Sequence, residues 1–319
     1  MRIDLMLDSL DGLSVGDALG NEFPVMRRSL AELRAGELSY GPWKWTDDTE
    51  MACSVVAELL EHGEIGQDRL AGAFARRMDP GRDYGFHAVG TMSRIRDGAP
   101  WREAAGAAYG NEGSCGNGGA MRVAPLGAYY ADDPKRIVAE AVKSAQVTHM
   151  HREGVVGAVA VALAAGRAAH ARLSETRLTP SEFITSILGQ LNDSETGRAI
   201  QRAQALLGAS PADAAHELGN GSRVTAQDTV PFTIWVAATH LNDYRTAITT
   251  CIAADGDIDT TSAIVGGIIA ANTAGADSMT GIPRDWLSAR EPLPAWYERA
   301  RAQHVARPSR LRRLFTGRK

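Results

Sequence analysis

Apolar residues in this chain recur at a spacing near that of the α-helix, and this pattern leaves little room for any other element. It predicts helices over residues 51–60 (Val55, Val56, Leu59, Leu60), 136–145, 182–191 (Phe183, Ile184, Ile187, Leu188, Leu191), 195–207, 231–241, 244–253 and 261–274. Alternating apolar and polar runs bounded by turn residues are nearly missing, and only 6% of residues are aromatic, so a sheet has little to be built from. The expected fold is all-α, a single compact bundle of many helices. Glycine weakens helices, yet glycine and alanine are frequent inside these segments, which predicts helix axes that approach closely. Loops are expected over residues 79–84, 108–119, 219–229 and 282–294. No internal repeat and no linker-like stretch divides the chain, so one domain over residues 1–306 is expected, followed by a basic tail at 307–319.

A chain of 319 residues can bury a core without a disulfide or a structural metal. Cys53, Cys115 and Cys251 are far apart and form no CxxC pair. They exclude a disulfide scaffold and a zinc finger and suit a reducing cytoplasm, the expected location. The opening MRIDLMLDSLDG carries Asp4, Asp8 and Asp11 and does not read as a signal peptide. The longest uncharged apolar segments, 154–166 and 262–276, are shorter than the roughly 20 residues that span a bilayer. They predict buried helices, and no membrane association is expected. With 34 Lys+Arg against 38 Asp+Glu the net charge is -4, which argues against a general nucleic-acid binder. The local exception is the tail with Arg307, Arg310, Arg312, Arg313, Arg318 and Lys319, read as a solvated end. A monomer is expected.

Two acidic clusters stand at helix starts. In WKWTDDTEMA, Thr46 can cap a helix while Asp47 and Asp48 face its positive end. Capping alone accounts for that segment, but not for a second set, Asp255-Gly256-Asp257-Ile258-Asp259-Thr260-Thr261, before another apolar helix. Together they offer hard oxygen donors, which suit Mg²⁺ or Mn²⁺ better than Zn²⁺. A shared carboxylate would hold two ions about 3.5–4 Å apart. The helix dipoles are expected to keep these carboxylates ionised. An EF-hand is excluded, because the glycine at the sixth loop position and the closing glutamate are missing.

The glycine-rich stretch from Gly113 to Arg122, GSCGNGGAMR, can bring backbone N–H groups close to a phosphate, although a plain helix-entry turn would look similar. No GK[ST] follows and no strand precedes it, so it is not a P-loop. His149, after Gln146-Val147-Thr148, stands at the end of a predicted helix, where a histidine favours the dipole without any further role. The other histidines have no ligand spacing, and no serine stands in a GxSxG elbow. Nothing else supports Cys115 and His149 as a thiol nucleophile pair.

Taken in order, Gly16-Asp17-Ala18-Leu19-Gly20, TDDT at 46–49, GNGGAMRVAPLG at 116–127, Thr148-His149, LGNG at 218–221, Val230-Pro231 and GDIDTT at 256–261 resemble the ADP-ribosylglycohydrolase (ADP-ribosyl-acceptor hydrolase) family. The resemblance covers nearly the whole chain and implies an orthogonal helical bundle. It also implies a dinuclear Mg²⁺ site, with Mn²⁺ as the alternative, that cleaves the N- or O-glycosidic bond at C1″ of ADP-ribose. Carried over residue by residue, Thr46, Asp47 and Asp48 match the first metal motif. Asp257, Asp259 and Thr260 match the second, with Asp259 the expected bridge. Glu22 matches the acidic residue over the metals that gates or activates water, and Asp47, Asp48 and Asp259 join it as catalytic candidates.

The loop with Ser114, Gly116, Asn117 and Gly118 matches the diphosphate site, His149 the histidine that reaches the ribose or phosphate, and Tyr109 falls where it can stack on adenine. Two features depart from the pattern: the link through Asn21-Glu22-Phe23 is short, and Asp255 replaces a glycine as an extra solvated charge. EGSCGNGG, Arg82-Asp83-Tyr84-Gly85 and LGNG look most like the branch acting on serine-linked ADP-ribose, poly(ADP-ribose) and O-acetyl-ADP-ribose, although Cys115 replaces an aromatic of close relatives. An ADP-ribose-bearing protein or small molecule is therefore the expected substrate, and O-linked acceptors rank above arginine-linked or nucleic-acid-linked ones. Two other classes rank lower: a binding module without turnover, and a Mg²⁺-dependent diphosphate hydrolase that would release AMP.

Overall fold

Glycines at 12, 16 and 20 recur every fourth residue and so lie on one face of the first helix, α1 (Ile3–Met26). In the structure, a computed structural model describing residues 1–38, 41–191, 193–273 and 280–306, that face meets α15 (Ile258–Asn272) along its length. A Cβ on Gly12 would strike the Gly266 carbonyl, and one on Gly16 the Ser262 carbonyl. One on Gly20 would stand 2.7 Å from Asp259 Cα. The two backbones are in contact, which offsets what the glycines cost as helix formers.

Between them run α2 (Leu30–Ala35), α3 (Asp47–His62), α4 (Gln67–Arg77), α5 (Phe86–Arg96) and α6 (Trp101–Gly106). A loop with 3₁₀ turns at Ala108–Asn111 and Asn117–Gly119 leads to α7 (Ala124–Tyr129), α8 (Pro134–Gln146) and α9 (Arg152–Leu173). Then come α10 (Pro180–Leu188), α11 (Glu195–Ala205), α12 (Pro211–Leu218), α13 (Ala226–Thr239) and α14 (Tyr244–Ala253), and α16 (Arg284–Ala289) and α17 (Ala295–Ala306) follow α15. Among the described residues there is no strand, only the isolated bridges Trp43 to Arg290 and Gly116 to Thr225. The fold is all-α, as the periodicity predicts.

The predicted helix at 244–253 is α14 to the residue, and α3, α8 and α15 each begin earlier than predicted. Helices α10 and α11 stop short, at Leu188 and Ala205. The largest difference is α13, which begins at Ala226 and carries Pro231 inside it. Proline suits the first helical position because its missing N–H costs nothing there. Here it sits deeper, beyond the first turn, so the helix start is not where the proline is. Residue 274 of the last predicted helix and the basic tail at 307–319 lie outside the described residues.

Helix α9 packs against α7, α8, α13 and α15. Its 22 residues, with a mean hydropathy of 1.5 over the most apolar stretch, are long and apolar enough to cross a membrane. In this fold 83% of that stretch is buried among the other helices, as predicted for a core helix.

Candidate active site where α3 and α15 begin

The α1–α15 seam ends at Gly20 and Asp259, and there the start of α3 joins it. Thr46 caps α3 as predicted, its hydroxyl accepting from Asp48 N at 3.4 Å. The residue that joins α1 to α3 is Asp17, which has no solvent exposure. Its carboxylate accepts from Thr46 N (3.0 and 3.1 Å), Thr46 Oγ1 (2.9 Å), Thr49 N (3.1 Å) and Thr49 Oγ1 (2.5 Å). A carboxylate has about four lone-pair sites, so Asp17 is fully engaged in tying α1 to the first turn of α3.

Asp48 is the opposite case. Its Oδ2 accepts from Thr260 Oγ1 at 3.4 Å and lies 3.1 Å from Thr46 Oγ1, while its Oδ1 is buried with no partner among the described residues. Carboxylate oxygens of Asp17, Asp48 and Asp259 lie within 4.8 Å of one another. A buried oxygen with no donor is costly. The helix dipoles do not prevail here. Burial, and then repulsion from Asp17 and Asp259, push Asp47 and Asp48 well above the ordinary carboxylate range. Burial and Asp259 raise Asp257 to about 8, and burial and Asp259 raise Asp17 to about 7 in spite of its hydrogen bonds. A divalent cation would offset each of these effects and could partner Asp48 Oδ1. The donor set is all oxygen, which fits Mg²⁺ or Mn²⁺.

The cluster forms one end of a cleft of about 700 Å³, within the range of small-molecule sites. Of the residues proposed from the sequence, Asp47, Asp48, Tyr109, Ser114, Gly116, Asn117, Gly118, His149, Asp257, Asp259 and Thr260 all line it. Thr46 stands behind them as the cap. Glu22 is not part of the lining: it is half-buried, and its Oε1 accepts from Lys44 N at 3.2 Å. Asp255 is exposed and also outside the lining, as expected for a solvated charge.

The glycine loop offers fewer amides than its sequence promises. Gly116 N donates to Ser114 Oγ at 3.1 Å and Asn117 N to Val224 O at 3.1 Å, so both are engaged within the protein. Asn117 also turns its side chain inward, to Thr229 and Asp257. Cys115 lines the cleft, but His149 Nδ1 is engaged with Thr148 Oγ1 at 2.8 Å. Tyr109 is 67% exposed and held at a φ of 49°, with its ring 5.2 Å from that of His87. Phe86, 96% exposed, and Val224 join Tyr109 on the apolar rim.

Sequence reasoning passed over Asp17, although it lies within the GDALG segment. The signal was an acid between Gly16 and Ala18 in an apolar stretch. It gave Asp83 no role beyond the Arg82–Gly85 likeness, and it passed over Phe86, His87 and Val224, for which no spacing gave a signal.

Comparison with known proteins agrees with this arrangement. A model of the ADP-ribosylglycohydrolase family matches residues 2–318. The ADP-ribosylhydrolase ARH3 of Xenopus tropicalis is 28% identical, over 89% of this chain and 90% of its own. That of Gallus gallus is 29% identical, over 74% of this chain and 72% of its own. A solved structure described as an ADP-ribosylglycohydrolase-related protein complex shares the fold, with a TM-score of 0.58 and 23% identity over 96% of this chain and 97% of that one. With these likenesses spanning nearly its full length, the chain belongs to the ADP-ribosylglycohydrolase family, and it is a hydrolase of glycosidic bonds to ADP-ribose.

Proposed function

We propose that the chain hydrolyses O-linked ADP-ribose, of the serine, O-acetyl or poly(ADP-ribose) type, with two divalent cations, Mg²⁺ or Mn²⁺, in the acidic cluster. The observation that carries the cation site is Asp48, whose buried Oδ1 has no partner among the described residues and whose carboxylate clusters with those of Asp17 and Asp259, in a cleft also lined by the glycine loop. Thr46, Asp47, Asp48, Asp257, Asp259 and Thr260 would hold the cations. When bound, such ions orient the ribose hydroxyls and lower the pKa of the attacking water.

The chain supplies the rest. Ser114, Gly118 and His149 line the cleft and would face the diphosphate, and the exposed Tyr109 would stack on adenine. As the bond at C1″ breaks, positive charge develops on the sugar, and the carboxylates of the cluster stabilise it. Asp47 lines the cleft within the cluster, so it is the proposed acceptor of the water proton, which it passes on to the departing acceptor oxygen. Glu22 is the second candidate for that role, once its bond to Lys44 N is released.

The preference for O-linked acceptors is supported by the likeness of Arg82–Gly85 and the glycine loop to the serine-directed branch. The test is release of ADP-ribose from a serine-ADP-ribosylated peptide with Mg²⁺ and with EDTA. Release that needs the metal is expected. Binding without release would make the chain a reader, release only from an arginine-linked peptide would move the acceptor class, and AMP as product would make it a diphosphate hydrolase.

A further inference from the structure

Arg122 is fully buried, yet no carboxylate pairs with it among the described residues. Its Nη1 donates to Gly118 O (2.9 Å), and its Nη2 to Ser144 O (2.7 Å) and Thr148 Oγ1 (2.9 Å). Burial lowers its pKa to about 9, which leaves it a cation at neutral pH. A guanidinium only donates, so the bond to Thr148 has one direction: the hydroxyl oxygen accepts.

That same hydroxyl lies 2.8 Å from His149 Nδ1, and its proton has no other acceptor among the described residues. Were Nδ1 protonated, two N–H donors would converge on Thr148 Oγ1 and the hydroxyl proton would be stranded in the interior. Nδ1 is therefore the acceptor, and the imidazole proton stands on Nε2. Burial, with Arg122 adding to it, lowers His149 to about 3, so the ring is neutral. Its Nε2 makes no hydrogen bond among the described residues and looks past two glycines: a Cβ on Gly118 would lie 3.0 Å from it, and one on Gly116 3.2 Å.

We propose that Arg122 and Thr148 are positioning residues that set the direction of a hydrogen-bond relay, fixing His149 as its Nε2–H tautomer. The ring then acts as a neutral donor aimed between Gly116 and Gly118 at an anionic oxygen in the cleft. That this oxygen belongs to the ADP-ribose diphosphate rests on the proposed function; the tautomer itself does not. Arg122 also grips Gly118 O, so one buried cation holds both the donor and the wall it points past.

The test uses the full chain without ligand, with ¹⁵N-labelled histidine. His149 should show a bare Nδ1 and a protonated Nε2, assigned by the loss of those signals in His149→Gln. Thr148→Val keeps the shape and removes the hydroxyl; it should raise the Nδ1–H population and weaken ADP-ribose binding about tenfold. Thr148→Ser should restore both. Wild-type His149 protonated on Nδ1 overturns the relay, and so does a Thr148→Val protein that keeps the wild-type tautomer. Unchanged ADP-ribose affinity after the tautomer has shifted overturns the donor role. A wild-type chain that does not bind ADP-ribose counts against the proposed function alone, because the tautomer is read without ligand.

Discussion

Asn117 Nδ2 lies 2.6 Å from Asp257 Oδ2, so a single hydrogen bond joins the glycine loop to the second acidic cluster. The same amide donates to Thr229 Oγ1 at 3.0 Å, which engages both of its protons. The phosphate wall and the acidic end of the cleft are thereby set in one frame. Asn117→Ala should weaken Mg²⁺ binding about 10- to 100-fold, the usual scale for losing a group that orients a metal ligand. Calorimetric titration with Mg²⁺ checks this, and an unchanged affinity would mean Asp257 is oriented without Asn117.

Asp259 stands at the end of the helix seam and among the other carboxylates. Asp259→Asn keeps its shape and removes its charge. Turnover should fall about 10³-fold, as expected when several kcal/mol of charge stabilisation are lost. Helical circular dichroism should stay unchanged. Full turnover by the metal-saturated variant would remove Asp259 from the ligand set.

Asp17 acts through the fold. Asp17→Ala strands the N–H groups of Thr46 and Thr49 at the start of α3. With buried orphan donors costing about 1–3 kcal/mol each, the metal-saturated protein should lose about 3 kcal/mol in urea unfolding. Asp17→Asn keeps one acceptor oxygen and should lose less.

The acidic cluster also gives stability a sign with pH. In the metal-free folded chain Asp17 titrates near 7 and Asp257 near 8, against an ordinary 3.8. The folded state therefore holds protons that the unfolded chain has already released, and its stability falls as pH rises through those values. Each such proton costs about 1.4 kcal/mol per pH unit. His149, lowered to about 3 from 6.5, acts in the opposite sense and removes stability below about pH 6.5. Thermal unfolding without metal should thus come earlier at pH 8 than at pH 6.5, and saturating Mg²⁺ should abolish that difference. A metal-free melting temperature that does not change over this range would contradict the burial of these carboxylates.

Local chemistry made part of this molecule legible. Helix α14 could be placed to the residue because Asp243 caps its start, accepting from Thr246 N at 3.0 Å, and Asp255-Gly256 follows its end. The clusters around Thr46 and Asp257 were legible because each is contiguous in sequence. Asp17 was not, because its partners are 29 and 32 residues away and only the packing of α1 on α3 brings them to it. Phe86 looks like a core residue in sequence, since a phenylalanine is usually buried; only the fold leaves it on the rim of the cleft. The capture of Glu22 by Lys44 N, in the loop that leads into α3, has no sequence signal at all.

The contact of α1 with α15 also bears on how inherited changes in this enzyme should be interpreted. Gly12 meets Gly266 and Ala270, about 12 Å of helix away from Gly20, and touches nothing in the cleft. A side chain gained there would wedge the two helices apart, and the displacement would be felt at Asp259. Scored by product alone, that lesion would be indistinguishable from the loss of a ligand. The seam that holds α1 on α15 therefore also sets where Asp259 stands in the cleft.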